Sequence, residues 1–267
     1  MPSAALERAP AKLNLALHVR GRRADGYHEL ETLFAFTDFG DTLSAEPAPD
    51  WSLELTGPTA ADAGPLDDNL VLRAARAFAA ATGSRAQYAF RLHKRIPVAA
   101  GLGGGSADAG AALRLLNRLA GGPLSPAALE ALGATLGADV PACVRSRTAV
   151  GRGVGEQLAP GPELAGTPVL LANPGVAVPT GPVFARSDGI DRGPLGPDWR
   201  HARNDLEGPA IALQPVIAEL LDWLSGLPGV TLARMSGSGA TCFALFDRAV
   251  PEVSPPAGWW VQPARLL

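Results

Sequence analysis

Alternating apolar and polar positions at the start of the chain predict β-strands. In residues 10–20 an apolar side chain recurs at every second position from Leu13 to Val19, which places Lys12 and Asn14 on the other face of the strand. The same period of two predicts, after a turn at 21–26, further strands at 27–36, 42–46, 52–56 and 87–92.

Apolar positions at helical spacing follow, and helices and strands then alternate to the end of the chain. Helices are predicted at 70–82, 109–120, 126–136 and 211–224, and strands at 168–172, 230–235, 241–246 and 259–261. Such a mixture is typical of the α+β class. The stretch 151–166 is rich in glycine and proline, so it is the predicted boundary between an N-terminal domain, 1–152, and a C-terminal domain, 153–267.

Composition narrows the class of partner. The 267 residues include 26 acidic and 23 basic side chains, a net charge of -3, which argues against a nucleic-acid-binding protein and favours small-molecule partners. The N-terminus lacks a secretory signal, and the apolar runs fall far short of the ~20 residues that cross a bilayer, so a cytoplasmic protein is expected. Cysteines and histidines lack metal-ligand spacing, so no structural zinc or disulfide framework is expected.

Lysine is almost absent from the chain. Of the 23 basic residues, 21 are arginine, and only Lys12 and Lys94 are lysine. An ammonium is a compact, rotatable point charge, whereas a guanidinium is a broad planar fork, so positions that resist arginine are candidates for a functional site. Two residues are a small sample, and surface charges left by chance explain the count equally well.

A glycine-rich segment at 97–107, called the glycine loop below, directly precedes a predicted helix. Its backbone N–H groups at a helix N-terminus, with no Cβ in the way, are typical of a phosphate cradle; a flexible surface loop is the alternative. Because Ser106 takes the third glycine position and no Lys-Ser/Thr pair follows, the loop is neither a GxGxxG fingerprint nor a Walker A motif. Ser106 is predicted to cap the helix, to bind a phosphate oxygen or magnesium, or both. The predicted ATP-binding residues of the loop are Pro97, Val98, Ala99, Ala100, Gly101, Leu102, Gly103, Gly104, Gly105, Ser106 and Ala107.

Three segments resemble, in this order, the signature segments of the GHMP kinase superfamily. They are Pro-Ala-Lys-Leu-Asn at 10–14, the glycine loop, and Met-Ser-Gly-Ser-Gly-Ala-Thr at 235–241. Further segments at 23–34, 137–141 and 204–207 are similar to the branch of that superfamily that phosphorylates a cytidine diphosphate-linked sugar alcohol. The resemblance runs almost from end to end of the chain.

The resemblance implies a fold, a reaction and its co-substrate. The implied fold is a two-domain GHMP kinase, with an N-terminal domain like ribosomal protein S5 domain 2 and a ferredoxin-like C-terminal domain. The implied reaction is ATP-dependent phosphorylation of the 2-hydroxyl of 4-(cytidine 5′-diphospho)-2-C-methyl-D-erythritol, in the non-mevalonate route to isoprenoid precursors. ATP is the expected co-substrate, Mg²⁺ is expected with it, and the protein is expected to be a monomer or a homodimer.

Two catalytic residues follow from the resemblance. Asp139 matches the catalytic base and Lys12 its electrostatic partner. Phosphoryl transfer needs an aligned hydroxyl, a group that takes its proton and neutralisation of developing charge, which this pair can supply. Without the resemblance, a helix-end or turn cap would be the simpler reading of Asp139.

The substrate-binding residues are also carried over by position. Asn14 is expected to bind the substrate's hydroxyl or phosphates. Tyr27 and His28 match the cytidine site, and Phe184, which follows Thr180, stands where a second aromatic residue would let two rings sandwich the base. A small-core anchor is the alternative for Phe184. Gly237 and Gly239 are expected to close over the phosphate or sugar portion, unless they only form a tight hairpin.

Two further residues are expected near the nucleotide. Asn69 matches an adenine-side position, although it could simply cap the following helix. Lys94 precedes the glycine loop by three residues. No acidic residue is plainly assigned to a metal ion.

Two other functions compete with the cytidine diphosphate-linked substrate. One is a GHMP kinase acting on mevalonate, homoserine or a sugar, but those substrates offer no base for Tyr27, His28 and Phe184. The other is a non-catalytic nucleotide-binding regulator, which the presence of both Lys12 and Asp139 disfavours.

Overall fold

The structure is a computed structural model that describes residues 5–24, 26–66 and 68–267. Asp25, in the predicted turn at 21–26, lies outside the described residues. Across the described ranges, no helix combines the length and apolar character needed to span a membrane.

The described chain forms two compact units, each built from several stretches. The first unit comprises residues up to 12, 40–98 and 103–146, and the second comprises 13–39, 99–102 and 147–267. These units are interleaved along the chain. The single boundary between residues 152 and 153 stays a prediction.

In the first unit, strands and helices follow one another closely. The first unit holds the start of β1 (Ala5–Arg22), the end of β2 (His28–Ala48), and β3 (Ser52–Thr56), α1 (Leu70–Thr82), β4 (Gln87–His93), α2 (Gly104–Leu119), α3 (Pro126–Ala134) and α4 (Val140–Arg145), with a 3₁₀ turn at Ala60–Asp62. The second half of β2 pairs antiparallel with β4, and β3 pairs parallel with β4.

The prediction of two strands at 27–36 and 42–46 was wrong in one respect, because β2 is continuous. Polar Asp41 interrupts the apolar pattern, yet it is buried and accepts hydrogen bonds from the backbone of Arg95 and Ile96. A buried polar group with partners does not end a strand.

The second unit contains the start of β2 and a four-stranded antiparallel sheet. The further elements of this unit are β5 (Ala149–Gly153), β6 (Gln157–Pro160), β7 (Pro168–Asn173), α5 (Thr180–Ala185), α6 (Glu207–Leu213), α7 (Val216–Ser225), β8 (Val230–Met235), β9 (Cys242–Phe246) and β10 (Trp260–Arg265), with a 3₁₀ turn at Trp199–His201. The first half of β2 pairs with β5, and β5 pairs with β6. The four-stranded sheet has the order β10-β7-β9-β8.

One prediction in this unit was wrong. The single helix at 211–224 is two helices, α6 and α7, which meet at Gln214 and Pro215. Proline lacks the N–H that a helix interior needs and clashes with the preceding turn, so an uninterrupted apolar pattern does not guarantee one helix. The stretch 151–166, where the domain boundary was predicted, contains the end of β5 and all of β6.

The core of the second unit lies between α7 and the four-stranded sheet. Ile217, Leu220 and Leu224 recur at helical spacing on one face of α7 and are fully buried. They belong to one cluster with Leu170 of β7 and Ala244 of β9. The predicted apolar face of this helix is therefore confirmed, although the helix is shorter than expected.

One glycine sets how closely α2 packs against α4 in the first unit. A Cβ on Gly110 would lie 2.7 Å from the carbonyl carbon of Cys143, which is backbone and cannot rotate away. We expect Gly110→Ala to lower the free energy of unfolding by about 1–3 kcal/mol, because the added methyl forces the two helices apart. Denaturant unfolding followed by circular dichroism measures this change.

Gly208 provides the matched control, since it is also helical but has no atom within 4 Å of its added Cβ. Gly208→Ala should be neutral or stabilising by up to about 1 kcal/mol, because alanine is the better helix former. Equal effects of the two substitutions would contradict the packing role of Gly110.

Candidate active site

Lys12 and Asp139 form an ion pair in the first unit. The Nζ of Lys12 lies 2.9 Å from Oδ2 of Asp139. Lys12 is only 4% exposed, whereas the Asp139 side chain is 34% exposed and open to a solute on one side. Asp139 occupies the N-cap position of α4, but its side chain makes no capping hydrogen bond. The geometry therefore favours the pairing with Lys12 over the capping alternative.

The end of the glycine loop lies against this pair. Gly103 has a φ of 64° and immediately precedes α2. A Cβ at Gly103 would lie 3.0 Å from Cε of Lys12 and 3.8 Å from Oδ2 of Asp139. Glycine is favoured at this position for two reasons. Its backbone is left-handed, and a larger side chain would collide with the stem of Lys12.

The backbone of the glycine loop is suited to bind an anion. Ala99, Gly101 and Gly103 all have positive φ angles, of 52°, 79° and 64°. Left-handed residues alternating with others turn successive N–H groups toward one side, and the N-terminus of α2 adds its own unpaired N–H groups. Ser106 is the third residue of α2, so the prediction that it caps the helix was wrong: Gly103 is the N-cap and provides no side chain.

Lys94 lies in a buried charge cluster. Its Nζ donates to Oδ2 of Asp41 at 2.5 Å and to Oδ2 of Asp108 at 2.6 Å, and all three residues are buried. Burial alone lowers the pKa of Lys94, but the charges of Asp108 and Asp41 outweigh it and hold that pKa above its ordinary value. Burial raises the pKa of the Asp108 carboxyl to about 8, against the opposing effect of Lys94.

This cluster connects the chain before the glycine loop to the first turns of α2. The Lys94 ammonium therefore donates to the carboxyl groups of Asp41 and Asp108. Its expected contact with the nucleotide stays a prediction. Asn69 is the N-cap of α1, where its Oδ1 accepts a hydrogen bond from the N–H of Val71 at 2.9 Å. Asn69 therefore caps α1, as the alternative predicted. A contact of Asn69 with adenine stays a prediction.

Asn14 belongs to a hydrogen-bonded network in the second unit. Its Nδ2 donates to Oγ1 of Thr32 at 2.8 Å, and its backbone N–H donates to Oγ of Ser236 at 3.2 Å. The Ser236 hydroxyl in turn donates to the carbonyl oxygen of Gly101 in the glycine loop at 3.0 Å. Thr32 and Ser236 were not singled out from the sequence, because a lone hydroxyl carries no spacing signal.

Residues 235–241, the third of the segments that carry the resemblance and called the third glycine segment below, contact the same network. Gly237 has a φ of 57°, and a Cβ there would lie 3.2 Å from Oδ1 of Asn14. Gly239 has a φ of 87°, and a Cβ there would lie 2.8 Å from Sδ of Met235. Thr180, at the start of α5, shares a hydrogen bond of 2.9 Å with Ser238 between these two glycines.

The aromatic residues of the second unit meet in a different pairing from the expected one. The rings of His28 and Phe184 stack with centroids 4.9 Å apart and planes inclined by 27°. Tyr27 is 64% exposed, and the sandwich between Tyr27 and Phe184 stays a prediction. Burial and then the charge of Arg22 lower the pKa of the His28 imidazole, so its ring is neutral at pH 7.

Comparison with known proteins identifies relatives of this chain. Residues 69–147 match the family described as GHMP kinases N terminal domain, and residues 197–253 match GHMP kinases C terminal. A protein of Methylorubrum extorquens named 4-diphosphocytidyl-2-C-methyl-D-erythritol kinase is 51% identical over 284 residues, which cover 97% of this chain and 98% of the relative. A protein of the same name from Rhizorhabdus wittichii is 54% identical over 280 residues, which cover 97% and 94%.

A solved structure agrees with these relatives. The crystal structure of a 4-(cytidine 5′-diphospho)-2C-methyl-D-erythritol kinase is 37% identical, has a TM-score of 0.80 and covers 98% of both chains. The α+β class and the two-domain GHMP kinase fold predicted from the sequence are thereby confirmed. With about half of its residues identical to these relatives over nearly its full length, the chain belongs to the 4-diphosphocytidyl-2-C-methyl-D-erythritol kinase family of the GHMP kinases.

Proposed function

We propose that this chain transfers the γ-phosphoryl group of ATP to the 2-hydroxyl of 4-(cytidine 5′-diphospho)-2-C-methyl-D-erythritol, releasing ADP and the 2-phosphate. The observation that carries the proposal is the ion pair of Lys12 and Asp139 against Gly103, the N-cap residue of α2. As a GHMP kinase the protein uses ATP as its co-substrate. The product would feed the non-mevalonate route to isoprenoid precursors.

Asp139 would orient the acceptor hydroxyl and take its proton as the new P–O bond forms. The Asp139 side chain is 34% exposed, so a hydroxyl could approach it from solvent. Lys12 would stabilise the carboxylate from the buried side. Because the transferred phosphoryl group passes through a loose transition state, the chain mainly has to position the reactants and neutralise charge. The ammonium of Lys12 would also stabilise charge that develops on the attacking oxygen.

The glycine loop would bind the phosphates of ATP. Gly103 is left-handed at the N-cap of α2, the first turn of a helix leaves N–H groups without intrahelical partners, and Ser106 adds a hydroxyl in that turn. Backbone donors bind phosphate oxygens without the side-chain ordering that a lysine or arginine would need.

Magnesium fits this arrangement as a companion of ATP rather than as a resident metal. Within the described ranges, no three His, Cys, Asp or Glu side chains are grouped to hold a metal ion. Mg²⁺ usually keeps several waters and is bound by substrate phosphates with one or two protein oxygens, for which the Ser106 hydroxyl is the candidate. When bound, the ion neutralises charge on the phosphate oxygens.

The second unit would recognise the cytidine end and the phosphates of the acceptor. The faces of His28 and Phe184 are flat aromatic surfaces suited to a base, with the exposed ring of Tyr27 as the expected second platform. Asn14, Thr180, Gly237 and Gly239 would contact the hydroxyls or phosphates of the sugar alcohol, with the N–H of Gly237 as a donor, since that of Gly239 already donates to the carbonyl oxygen of Ser236 at 3.0 Å.

A panel of acceptors tests the proposed reaction directly. Purified protein with ATP and magnesium should release ADP with the cytidine diphosphate-linked substrate and not with mevalonate, homoserine or galactose. Turnover confined to mevalonate or homoserine would favour the alternative GHMP kinase, and ATP binding without turnover of any acceptor would favour a regulator.

Asp139→Asn should reduce kcat by at least about 100-fold, because an amide cannot accept the proton of the hydroxyl. The affinity for ATP, measured by calorimetry, should change by less than about two-fold. Asp50→Asn, at an exposed carboxylate of the same unit, is the matched control and should behave like the wild type. A kcat near the wild-type value in Asp139→Asn would remove Asp139 from its role.

Lys12→Arg should also lose most activity, although it keeps the charge. The position is buried, and Gly103 and Asp139 leave space for a narrow ammonium but not for a planar guanidinium. We expect kcat to fall about 10-fold or more, measured at a temperature where circular dichroism shows the variant to be folded. Retention of wild-type kcat would mean that the site tolerates the larger group.

A further inference from the structure

The segment Asn204–Glu207 is one of those that resemble the kinase family, but it takes no part in the proposed mechanism. It lies in the second unit, after the 3₁₀ turn at Trp199–His201, and its last residue begins α6. Asn204 is only 6% exposed. A buried amide side chain is costly unless its donors and acceptor are satisfied, so its partners indicate what it does.

Both donors of the Asn204 amide are directed at the third glycine segment. Nδ2 donates to the carbonyl oxygens of Met235 and Gly237, each at 2.8 Å. Oδ1 accepts a hydrogen bond from the N–H of Leu206 at 3.0 Å. One side chain thus binds the two carbonyls that flank Ser236 and anchors itself through its oxygen.

The residue held between those carbonyls connects two parts of the candidate site. The Ser236 hydroxyl accepts from the N–H of Asn14 and donates to the carbonyl of Gly101. A hydroxyl has a single proton, so these two bonds determine its orientation only while the backbone of Ser236 stays in place.

Asp205 and Glu207, next to Asn204, form hydrogen bonds with β1 and with the third glycine segment. The N–H of Asp205 donates to the carbonyl of Leu17 at 2.8 Å, and its Oδ2 accepts from the N–H of Val19 at 2.8 Å, so the segment follows β1 just beyond Asn14. Oε2 of Glu207 accepts from the N–H of Met235 at 3.1 Å. The segment therefore bonds to β1 on one side and to the third glycine segment on the other.

We infer that Asn204 is a positioning residue for the reaction, which holds residues 235–239 so that Ser236 and Gly237 support Asn14 and the carbonyl of Gly101. The inference rests on the proposed function for its kinetic consequence. Its structural part, the control of the third glycine segment by one amide, rests on the hydrogen bonds alone.

Asn204→Asp separates this role from simple helix capping. Aspartate has nearly the same size and keeps the acceptor for the N–H of Leu206, but its carboxylate cannot donate to the two carbonyls and is repelled by them. We expect kcat/KM for the cytidine diphosphate-linked substrate to fall about 10–100-fold in the folded variant, since small misplacements at a reacting site are costly.

Asn117→Asp is the matched control. The amide of Asn117 donates to the carbonyl of Leu124 and accepts from its N–H, each at 3.0 Å, so the substitution removes the same kind of bond in the first unit. This variant should lose stability while keeping kcat/KM within about two-fold of the wild type.

Two further measurements make the test specific. Hydrogen exchange of the amide of Asn14, which is bonded to Ser236, should accelerate about ten-fold in Asn204→Asp but not in Asn117→Asp. The effects of Asn204→Asp and Ser236→Ala on kcat/KM should be non-additive, because both act through the same contact. If Asn204→Asp does not fold, Asn204→Ser gives the same comparison with one donor kept and no charge added.

Unchanged exchange of Asn14, or additive kinetic effects of the two substitutions, would overturn the inference even if the wild type phosphorylates the expected acceptor. If the wild type does not turn over that acceptor, the proposed function fails, and the exchange experiment still decides whether Asn204 controls the third glycine segment.

Discussion

A buried ammonium requires a counter-charge, and this constraint governs the candidate catalytic residues. Lys12 is almost fully buried on β1, where an unpaired charge would cost several kcal/mol. Asp139 supplies the counter-charge from the start of α4, and Gly103 leaves the space that the lysine stem fills. One ion pair therefore brings a strand, the start of α2 and the start of α4 to a common point of the first unit.

The network around Asn14 in the second unit is built from neutral groups. Asn14, Thr32, Ser236 and Asn204 form amide and hydroxyl hydrogen bonds, several of them to backbone carbonyls. Neutral hydrogen bonds are directional and individually contribute about 1 kcal/mol, so they orient groups more than they stabilise charge. This division agrees with the roles proposed above, with proton transfer assigned to a charged pair and recognition of the acceptor to neutral donors and aromatic rings.

The spacing of apolar residues predicted the type of element correctly where it matches the repeat of a strand or a helix without interruption. The alternation at 10–20 and the helical spacing before Gly83 both correspond to observed elements, β1 and α1. The pattern failed at Pro215, where an apolar periodicity continues across a break that the proline ring imposes. The alternating pattern also did not predict that both faces of β1 are buried around Asn14. A polar side chain can be buried when residues far away in the chain form hydrogen bonds with it, and the local sequence does not reveal such partners.

The site was only partly predictable for a similar reason. The count of lysines directed attention to Lys12 and Lys94, but not to their partners, since Asp41 lies 53 positions before Lys94. Asn204 binds backbone carbonyls, and no side-chain pattern marks a carbonyl as a partner. Pairings of this kind are set by the fold, so they become visible only once the chain is folded.

The cluster of Lys94, Asp41 and Asp108 has a consequence for the protonation of the whole protein. The ordinary pKa of an aspartate is 3.8, whereas burial raises that of Asp108 to about 8, so between these values the folded chain binds a proton that the unfolded chain releases. Folding near neutral pH is thus coupled to proton uptake at this carboxyl, and its contribution to stability decreases as the pH rises from about 4 to 8. The two carboxylates that hold Lys94 are ionised together only at the cost of part of the stability of the fold.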